Sequence, residues 1–599
     1  MGYFPCIDKY VIFQYFCSRI KTFMRILVRF SALVAVSAIL VSCNGGSSDN
    51  QRPEGSGGTV RIAEVSPPKN TFPQALTTQV EGLVAGQIFE CLVRLNPKTL
   101  EPIPGLAEKW DVSADGKTIT FYLRKGVHFQ SCEPDKQEVG PELTSKDVKF
   151  TFELLCTDRP TNMHFPTIGK DRIVGANEYF EASSKGQKID LAGFKIIDDH
   201  TFSISLNNAS SIFLQMLANP VTAIICEEAY KTQKESLKCG AGPFKYDTKG
   251  STPTHIVLLR NEHYYGKDEK GNSLPYIDSV VVDILGSTEE GLTLFKEGKY
   301  DYLGSIPSNS VRQVVEENIK AFESNPPTFI LERSSEMITQ YYVLNINKVP
   351  FNNVKVRQAI NYALDRDKII DKVLRGQAFG PAINGITPPT FSGYKISDVQ
   401  GYEFNPDKAK HLLIEAGYPG GIGMPELSLI VNTGNSRNMT VAAEVQKQLK
   451  EVLNVNVSFE ALPTGDKFNM QVKGKGDMFR DGWIADYPSP ESFLSVFYGE
   501  PIPLDTSKVS YPNTQRYLNP VYDEFYKKGR DARNKDSAMF YFMKAENVLM
   551  HDAPLIPLWY ESNYRLITAR VKNFFVNPLR YFDLTKVTIV NPTPATEKK

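Results

Sequence analysis

Alternating apolar and polar residues predict strands in the first half of the chain. Ile119, Phe121 and Leu123 alternate with their neighbours as in a half-buried strand, in which every second side chain faces the core. The same period of two recurs at residues 202–206, 255–259 and 279–285. We therefore expect the first half of the protein to be rich in short strands.

A helical period replaces this alternation from Val356 onward. The residues that fall on one helical face are Val356, Ala359, Ile360, Ala363 and Leu364. Asp365 follows as a candidate helix cap, and Gly376 as a helix stop. Helices are therefore expected to become dominant here.

A strand–helix–strand unit is predicted further along the chain. Before it, Asn405 as a cap, Pro406 in the first turn and Gly417 beyond the last turn define one helix. The unit itself consists of strand 427–432, an amphipathic helix over 439–452 and strand 455–460. Such a crossover should be right-handed with parallel strands, which predicts an α/β protein whose ligand lies between lobes.

The N-terminus has the pattern of a secretory signal peptide over residues 1–42, with Met24 as the alternative start. Two arginines precede the uncharged apolar run 30–41, and the small residue Ser42 follows it. The run is shorter than the roughly 20 residues that a bilayer-spanning helix needs, so a permanent transmembrane helix is the weaker alternative. The protein is therefore expected to be exported.

Cys43 directly follows this run and is a candidate membrane anchor. The residues Leu40-Val41-Ser42-Cys43 resemble the lipobox of bacterial lipoproteins, in which the cysteine is lipidated and becomes the new N-terminus. Residues 43–56 are rich in Gly, Ser and polar residues and should form a flexible tether. We expect a lipid-anchored protein of the periplasm or cell surface, with residues 591–599 as a tail.

Length and charge narrow the classes of protein that remain. A chain of 599 residues exceeds a single hydrophobic core, so two or three lobes are expected. Lys+Arg and Asp+Glu are equal at 68 each, which removes the basic excess expected of a nucleic-acid-binding protein. The 28 Tyr and 35 Phe supply material for packed lobes and for aromatic pocket walls.

Besides Cys43, the exported part holds five cysteines, an odd number, so at least one has no partner within the chain. Nearness in sequence favours the pairs Cys132–Cys156 and Cys226–Cys239 and leaves Cys91 as a buried thiol, although other pairings remain open. There is no CxxC motif, and no histidine lies at ligand spacing from a cysteine. We therefore expect neither a metal nor a cofactor.

Common catalytic motifs are missing from the chain. The sequence has no GxxxxGK[ST], GxGxxG, HExxH or GxSxG, and its seven histidines are isolated. An enzyme is not predicted on these grounds. An exported hydrolase built from distant segments is the alternative, since catalytic groups can assemble from separate parts of a chain.

Several segments that lie in order along the chain form one recognisable set: 105–129 with 143–153, 240–246 with 257–266 and 274–282, then 350–376, 405–421 and 479–494. Together they resemble the family-5 extracellular solute-binding proteins, the oligopeptide- and dipeptide-binding components of ABC importers. The resemblance implies a two-lobed periplasmic-binding-protein-like fold, type II (cluster C), with an extra inserted lobe. The implied bounds are lobe I at 57–89, 193–333 and 556–590, inserted lobe II at 90–192, and lobe III at 334–555.

The same resemblance implies a ligand site in the segment 479–494. Asp486 matches the position where peptide-binding members place the aspartate that receives the ligand's α-amino group; the alternative is a structural carboxylate that caps the following turn. Trp483 would form a pocket wall or belong to the core. Arg480 would meet a ligand carboxylate or form a solvated pair with its neighbour Asp481. Ile484 and Ala485 complete the candidate segment.

Extended segments that grip the ligand's main chain are also implied. They map onto Thr77, Thr78 and Gln79, and onto strand 339–347 with Tyr341 and Tyr342. Main-chain bonding would tolerate different side chains. The implied function is peptide capture by a monomer and delivery to ABC permease subunits. The alternative ligands on this fold are nickel chelates, haem, sugars or other small solutes.

Overall fold

A computed structural model describes most of the exported part of the chain. The described residues are 53, 55–132, 139–307, 310–323, 328–391, 393–433, 436–505 and 508–590. The predicted signal peptide, Cys43, most of the tether and the tail 591–599 lie outside these residues. No helix in the described ranges is both long enough and apolar enough to cross a membrane.

Strands and helices alternate along these residues. The strands are β1 (Thr59–Glu64), β2 (Val93–Leu95), β3 (Pro102–Pro104), β4 (Ala107–Val112), β5 (Thr118–Leu123), β6 (His128–Gln130), β7 (Val139–Glu142), β8 (Phe194–Asp198), β9 (Thr201–Ser205), β10 (Phe244–Tyr246), β11 (His255–Arg260), β12 (Ser279–Ile284), β13 (Tyr302–Leu303), β14 (Phe329–Leu344), β15 (Gly380–Pro381), β16 (Leu427–Asn432), β17 (Val457–Leu462), β18 (Met478–Ile484), β19 (Leu555–Thr568), β20 (Val571–Lys572), β21 (Phe575–Val576), β22 (Phe582–Asp583) and β23 (Thr588–Ile589). The helices are α1 (Gln79–Ile88), α2 (Ser145–Leu155), α3 (Phe165–Ile168), α4 (Ala176–Ser184), α5 (Phe213–Met216), α6 (Glu227–Gln233), α7 (Thr288–Lys296), α8 (Val311–Glu323), α9 (Val354–Tyr362), α10 (Arg366–Lys368), α11 (Pro406–Glu415), α12 (Ser436–Leu453), α13 (Thr464–Val472), α14 (Glu491–Leu494), α15 (Pro520–Arg530) and α16 (Lys535–Asp552). Short 3₁₀ turns and one π turn, Ile369–Val373, connect some of them.

The predicted local elements are confirmed. The four alternating stretches of the first half form β5, β9, β11 and β12. Asp365 caps α10 by accepting a hydrogen bond from the N–H of Lys368, and Asn405 caps α11 in the same way through Lys408. Strands β16 and β17 are parallel and joined by α12, as the crossover rule requires.

One mixed sheet of 11 strands runs through the protein. Its order is β10-β11-β12-β1-β13-β19-β14-β18-β16-β17, with β15 paired to β19. β14 and β19, with 16 and 14 residues, are antiparallel and join the strands around β1 to those around β18. They run across both boundaries predicted between lobes I and III, and two long strands at these positions would suit a hinge.

The crossing strands carry an irregularity that holds a buried charge. The register of β14 against β19 shifts between Ser335 and Thr339, and Glu336 lies within this bulge, fully buried. Glu336 accepts hydrogen bonds from Arg565 at 3.0 Å and from Arg580 at 2.8 Å. Because a buried carboxylate is costly without partners, these two guanidinium groups stabilise the bulge.

The inserted lobe extends further along the chain than predicted. Strands β8 and β9 pair with β5 in the four-stranded sheet β4-β5-β9-β8. Phe121 and Phe202 stack across this sheet with ring centroids 5.3 Å apart and share one buried core. The predicted end of the lobe at residue 192 is therefore too early, because it would divide a sheet whose strands pack together.

The cysteine pairing predicted from nearness in sequence is wrong. Cys132 is bonded to Cys239, 107 residues away, with Cα atoms 5.3 Å apart. Next to the two bonded cysteines, the N–H of Gln130 donates to the carbonyl of Gly240 at 2.8 Å, so long-range pairing brings the segments together. Among the described residues the free thiols are Cys91, Cys156 and Cys226, all buried. The prediction that Cys91 is a buried thiol is confirmed.

Candidate functional site

Strand β18 and the loop after it carry half of the predicted site residues. Ala485 is buried, and its N–H donates to the carbonyl of Met337 at 2.9 Å, which ties the end of the strand to β14. The chain then turns, and the N–H of Asp486 donates to Ser492 Oγ at 2.9 Å. Asp486 is half-buried as a result, whereas Ile484 remains 38% exposed at the rim.

Residues from other parts of the fold hold the backbone of Asp486. Its carbonyl accepts hydrogen bonds from Asn219 Nδ2 at 2.8 Å and from the hydroxyl of Tyr581 at 3.0 Å. The next residue, Tyr487, is 1% exposed and packs in the hydrophobic core of the inserted lobe. Asp486 therefore lies where lobe III meets the inserted lobe and the C-terminal part of the chain.

The carboxylate of Asp486 has an unusual electrostatic environment. Burial raises its pKa to about 7, and a hydrogen bond from Ser492 opposes the rise only in part. Ser492 Oγ lies 3.5 Å from Asp486 Oδ2. Within the described ranges no cationic side chain forms a salt bridge with Asp486, and no backbone N–H bonds to its side chain. These contacts favour a ligand-binding carboxylate over one that caps the following turn.

Trp483 and Asp486 share a hydrogen-bond partner, Ser492. The indole Nε1 of Trp483 donates to Ser492 Oγ at 3.3 Å, and its ring packs against the core of lobe III. Trp483 is only partly buried. The contact with the core agrees with the alternative interpretation of Trp483, and its role as a pocket wall stays a prediction.

Arg480 does not form the solvated pair with Asp481 that was the alternative prediction. Consecutive residues of a strand point to opposite faces, and Asp481 instead accepts a hydrogen bond from Gln471. Arg480 donates to Gln340 and, at 3.4 Å, to Asn432. Burial lowers the pKa of Arg480, and in the described part of the chain no carboxylate oxygen lies within salt-bridge distance of it. Its charge thus has only neutral hydrogen-bond acceptors.

The prediction that strand 339–347 grips a peptide's main chain is wrong for its central residues. Tyr341 and Tyr342 are 3% and 1% exposed, and their backbone pairs with β18 on one side and β19 on the other. β18 has a more accessible edge. It pairs with β16 only at Met478 and Phe479, so residues 481–484 have a strand neighbour on one side alone.

Thr77, Thr78 and Gln79 lie at the start of α1. The N–H groups of Thr77 and Thr78 donate to the carboxylate of Glu81 at 2.7 and 3.0 Å, and Thr78 is the helix cap. Both threonines are exposed, and the Gln79 side chain accepts a hydrogen bond from Arg580. The N–H groups of both threonines are therefore occupied, and the carbonyl of Thr78 is also engaged, since it accepts a hydrogen bond from the N–H of Gly82 at 3.1 Å.

Four residues near Asp486 were missed by sequence reasoning. They are Asn219, Ser492, Tyr511 and Tyr581. Three of them are brought to Asp486 by tertiary structure from distant segments, and no local pattern marks them. Ser492 lies inside a quoted family segment, and its nearness to Asp486 was the one available signal.

Among the described residues, neither a cluster of metal ligands nor a separate cavity provides a competing ligand site. The described ranges contain no group of three or more His, Cys, Asp or Glu residues placed to hold a metal ion. A separate cavity of about 220 Å³ has mainly apolar walls and is bordered by none of the predicted site residues. Its lining includes Phe295, Val314, Phe329 and Leu566.

Comparison with known proteins identifies the class of protein to which this fold belongs. The model of bacterial extracellular solute-binding proteins, family 5, matches residues 101–502. The chain therefore belongs to this family of extracellular solute-binding proteins.

Relatives of known name span nearly the whole chain. The dipeptide-binding protein of Escherichia coli is 27% identical over 579 residues, covering 94% of this chain and 100% of the relative. Heme-binding protein A of Haemophilus influenzae is 26% identical over 573 residues, covering 92% and 96%. A similar structure is the periplasmic binding protein DppA of Helicobacter pylori in complex with the peptide STSA. Its TM-score is 0.74 at 25% identity, covering 90% of this chain and 99% of the other.

Proposed function

We propose that this protein captures peptides in the cleft around Asp486 and delivers them to an ABC importer without chemical change. One observation carries the proposal: a half-buried carboxylate has no cationic partner among the described residues and a pKa raised to about 7. An ammonium group in the cleft would supply the missing charge. The named peptide-binding relatives support this choice of ligand.

Asp486 discriminates in favour of a free N-terminus. A carboxylate that has lost much of its hydration gains more from a nearby cation than one that remains in water. A ligand that carries a protonated α-amino group therefore pairs with Asp486, whereas a blocked N-terminus leaves the carboxylate without a partner. Arg480, whose charge has only neutral acceptors in the described contacts, is the candidate for a ligand carboxylate.

The rest of the peptide is held through its main chain. Residues 481–484 of β18 pair with β14 on one side, and an extended peptide can add as a further strand on the other. Trp483 and Ile484 then face the ligand's side chains. Recognition of this kind fixes the backbone and the N-terminus while tolerating many side chains.

Ligand capture is coupled to lobe closure. Asn219 and Tyr581 bond to the carbonyl of Asp486 from outside lobe III, so the binding carboxylate lies at the contact between lobes. The long strands β14 and β19 provide the hinge. A ligand that contacts both sides of the cleft shifts the population towards closure.

We also infer that the mature protein is a lipoprotein. Removal of residues 1–42 would leave Cys43 as the lipidated N-terminus, with the tether holding the lobes near the membrane that carries the importer. The protein would act as a monomer at the cell surface or in the periplasm, with the permease subunits as its protein partners.

Mass spectrometry after incubation with a mixed peptide pool tests the proposal. The expected result is retention of intact peptides with free N-termini and no cleavage products. Asp486→Ala should lose on the order of 100-fold in affinity, because the ligand ammonium would lose its buried counter-charge. Asp536→Ala, at an exposed position of lobe III, is the matched control and should bind normally. Retention of haem or a sugar instead of peptides would replace the proposal, and peptide cleavage would identify a hydrolase.

A further inference from the structure

Ser492 occupies a central position in the site and is fully buried. Its hydroxyl oxygen accepts the backbone N–H of Asp486 at 2.9 Å and the indole N–H of Trp483 at 3.3 Å. A serine hydroxyl has two acceptor lone pairs and one proton to donate. With both lone pairs engaged, the proton has Asp486 Oδ2 as its acceptor, at 3.5 Å.

We propose that Ser492 is a positioning residue that fixes the ammonium-binding carboxylate and the aromatic wall of the pocket relative to each other. The inference rests on the proposed function and extends it to a residue that need not touch the ligand. One side chain orients Asp486 and Trp483 together, so a change of charge on Asp486 reaches the indole through a single hydroxyl. Trp483 therefore reports the state of Asp486.

The helix that carries Ser492 is itself fixed from the inserted lobe. Glu491, the preceding residue, is fully buried and forms a salt bridge with Arg172, which is 8% exposed. Tyr526 donates to the same carboxylate oxygen of Glu491 at 3.3 Å. Short helix α14 thus places Glu491 against the inserted lobe and Ser492 against the ligand site, which explains how a four-residue helix holds a fixed orientation.

The ionisable groups that face Asp486 should not interfere with a measurement of its titration near pH 7. Tyr487, Tyr511 and Tyr581 are the titratable side chains that interact with it electrostatically. Burial is the main cause of the raised pKa of Tyr487 and Tyr581, so both stay neutral near pH 7. The hydrogen bond from Ser492 lowers the pKa of Asp486 against the effect of burial. Loss of the hydroxyl should therefore move the Asp486 titration to higher pH.

The test follows tryptophan fluorescence and trialanine binding as functions of pH. Wild-type protein without peptide should show a fluorescence transition near pH 7 that is absent from Asp486→Asn and from Trp483→Phe. In Ser492→Ala the transition should nearly vanish. The pH midpoint of trialanine affinity should rise by about one unit, equivalent to roughly 10-fold weaker binding at about pH 6. Ser492→Thr, which keeps a hydroxyl, should restore the wild-type midpoint, and Asp536→Ala at an exposed position is the control.

The outcomes separate this inference from the proposed function. If Asp486→Asn abolishes the preference for a free amine but Ser492→Ala keeps the wild-type midpoint, only the role of Ser492 is overturned. If the wild-type fluorescence shows no pH transition that depends on Asp486, the coupling between Asp486 and Trp483 is overturned. This result does not require the Ser492→Ala variant to fold. If Asp486→Asn itself has no effect on trialanine binding, the proposed function fails.

Discussion

Peptide binding should release a proton from Asp486, and the size of the effect follows from the structure. The perturbation is a change of pH across the pKa of about 7 that burial gives this carboxyl. Below that pKa the ligand-free protein carries a proton on Asp486, whereas an ammonium in contact favours the charged form and lowers the pKa by about 1–3 units. Binding in this range must therefore expel the proton, and affinity must fall as the pH is lowered.

The magnitude is set by two titrating groups. The protein must lose a proton with a pKa of about 7, and the peptide must keep one on an α-amino group with a pKa of about 8. Affinity should be highest near pH 7.5 and roughly 5- to 20-fold weaker near pH 5.5, for a drop in the pKa of Asp486 of about 1 to 3 units on binding. About 0.2 to 0.9 proton should be released per peptide near pH 5.5 and almost none, net, near pH 7.5.

Titration calorimetry in two buffers with different ionisation enthalpies measures this proton count. Asp486→Asn provides the baseline, because it keeps the shape of the side chain but has no proton to release in this range. The contribution of Asp486 is the difference between wild type and variant, so other titrating groups cancel. Equal proton counts for the two proteins near pH 5.5 would refute the assignment of the raised pKa to the ligand-binding carboxyl.

Three further predictions concern the anchor, the hinge and the disulfide. Cys43→Ser should move the protein from the membrane to the soluble fraction on cell fractionation; continued membrane association would contradict lipidation there. Glu336→Gln should lower the stability by about 3–5 kcal/mol, because the buried guanidinium of Arg565 and the half-buried one of Arg580 lose their counter-charge, and calorimetric melting within about 0.5 kcal/mol of wild type would oppose this. Cys132→Ala should cost about 2–5 kcal/mol through loss of a long cross-link to Cys239, and a non-reduced peptide map that lacks this pair would be evidence against it.

Local sequence patterns were sufficient for several strands and helices, whereas the two-lobed fold was expected from the family resemblance. The alternation of Ile119, Phe121 and Leu123 is enforced by one buried face of β5, and the Asn405 cap by the unpaired N–H groups at the start of α11. These causes act within a few residues, so they can be read from the chain. The same holds for the strand–helix–strand unit, whose crossover is determined by chain geometry.

Tertiary pairing was the part that the sequence did not reveal. Cys132 bonds to Cys239 because the backbone around Gln130 meets that around Gly240, which no spacing rule anticipates. The end of the inserted lobe was misplaced because a predicted strand, β9, shows its own pattern but not its partner. The main chain of Tyr341 is likewise inaccessible because two strands from elsewhere in the chain pair with it on both sides.

The candidate site likewise contains some residues that the sequence identified and others that only the structure revealed. Asp486, Trp483 and Arg480 were identified through one family-like segment, and the structure places all three on β18 or directly after it. Asn219 and Tyr581 lie 267 and 95 residues from Asp486 along the chain. Their contribution depends on how the lobes meet, which a single sequence does not encode locally.

The most direct test of the account compares trialanine with N-acetyltrialanine by titration calorimetry near pH 7.5. If the half-buried carboxylate of Asp486 pairs with the cationic N-terminus of the peptide, acetylation should weaken binding to the wild-type protein on the order of 100-fold. It should have little effect on binding to Asp486→Asn. Equal affinity of the wild-type protein for the two peptides would contradict the central claim.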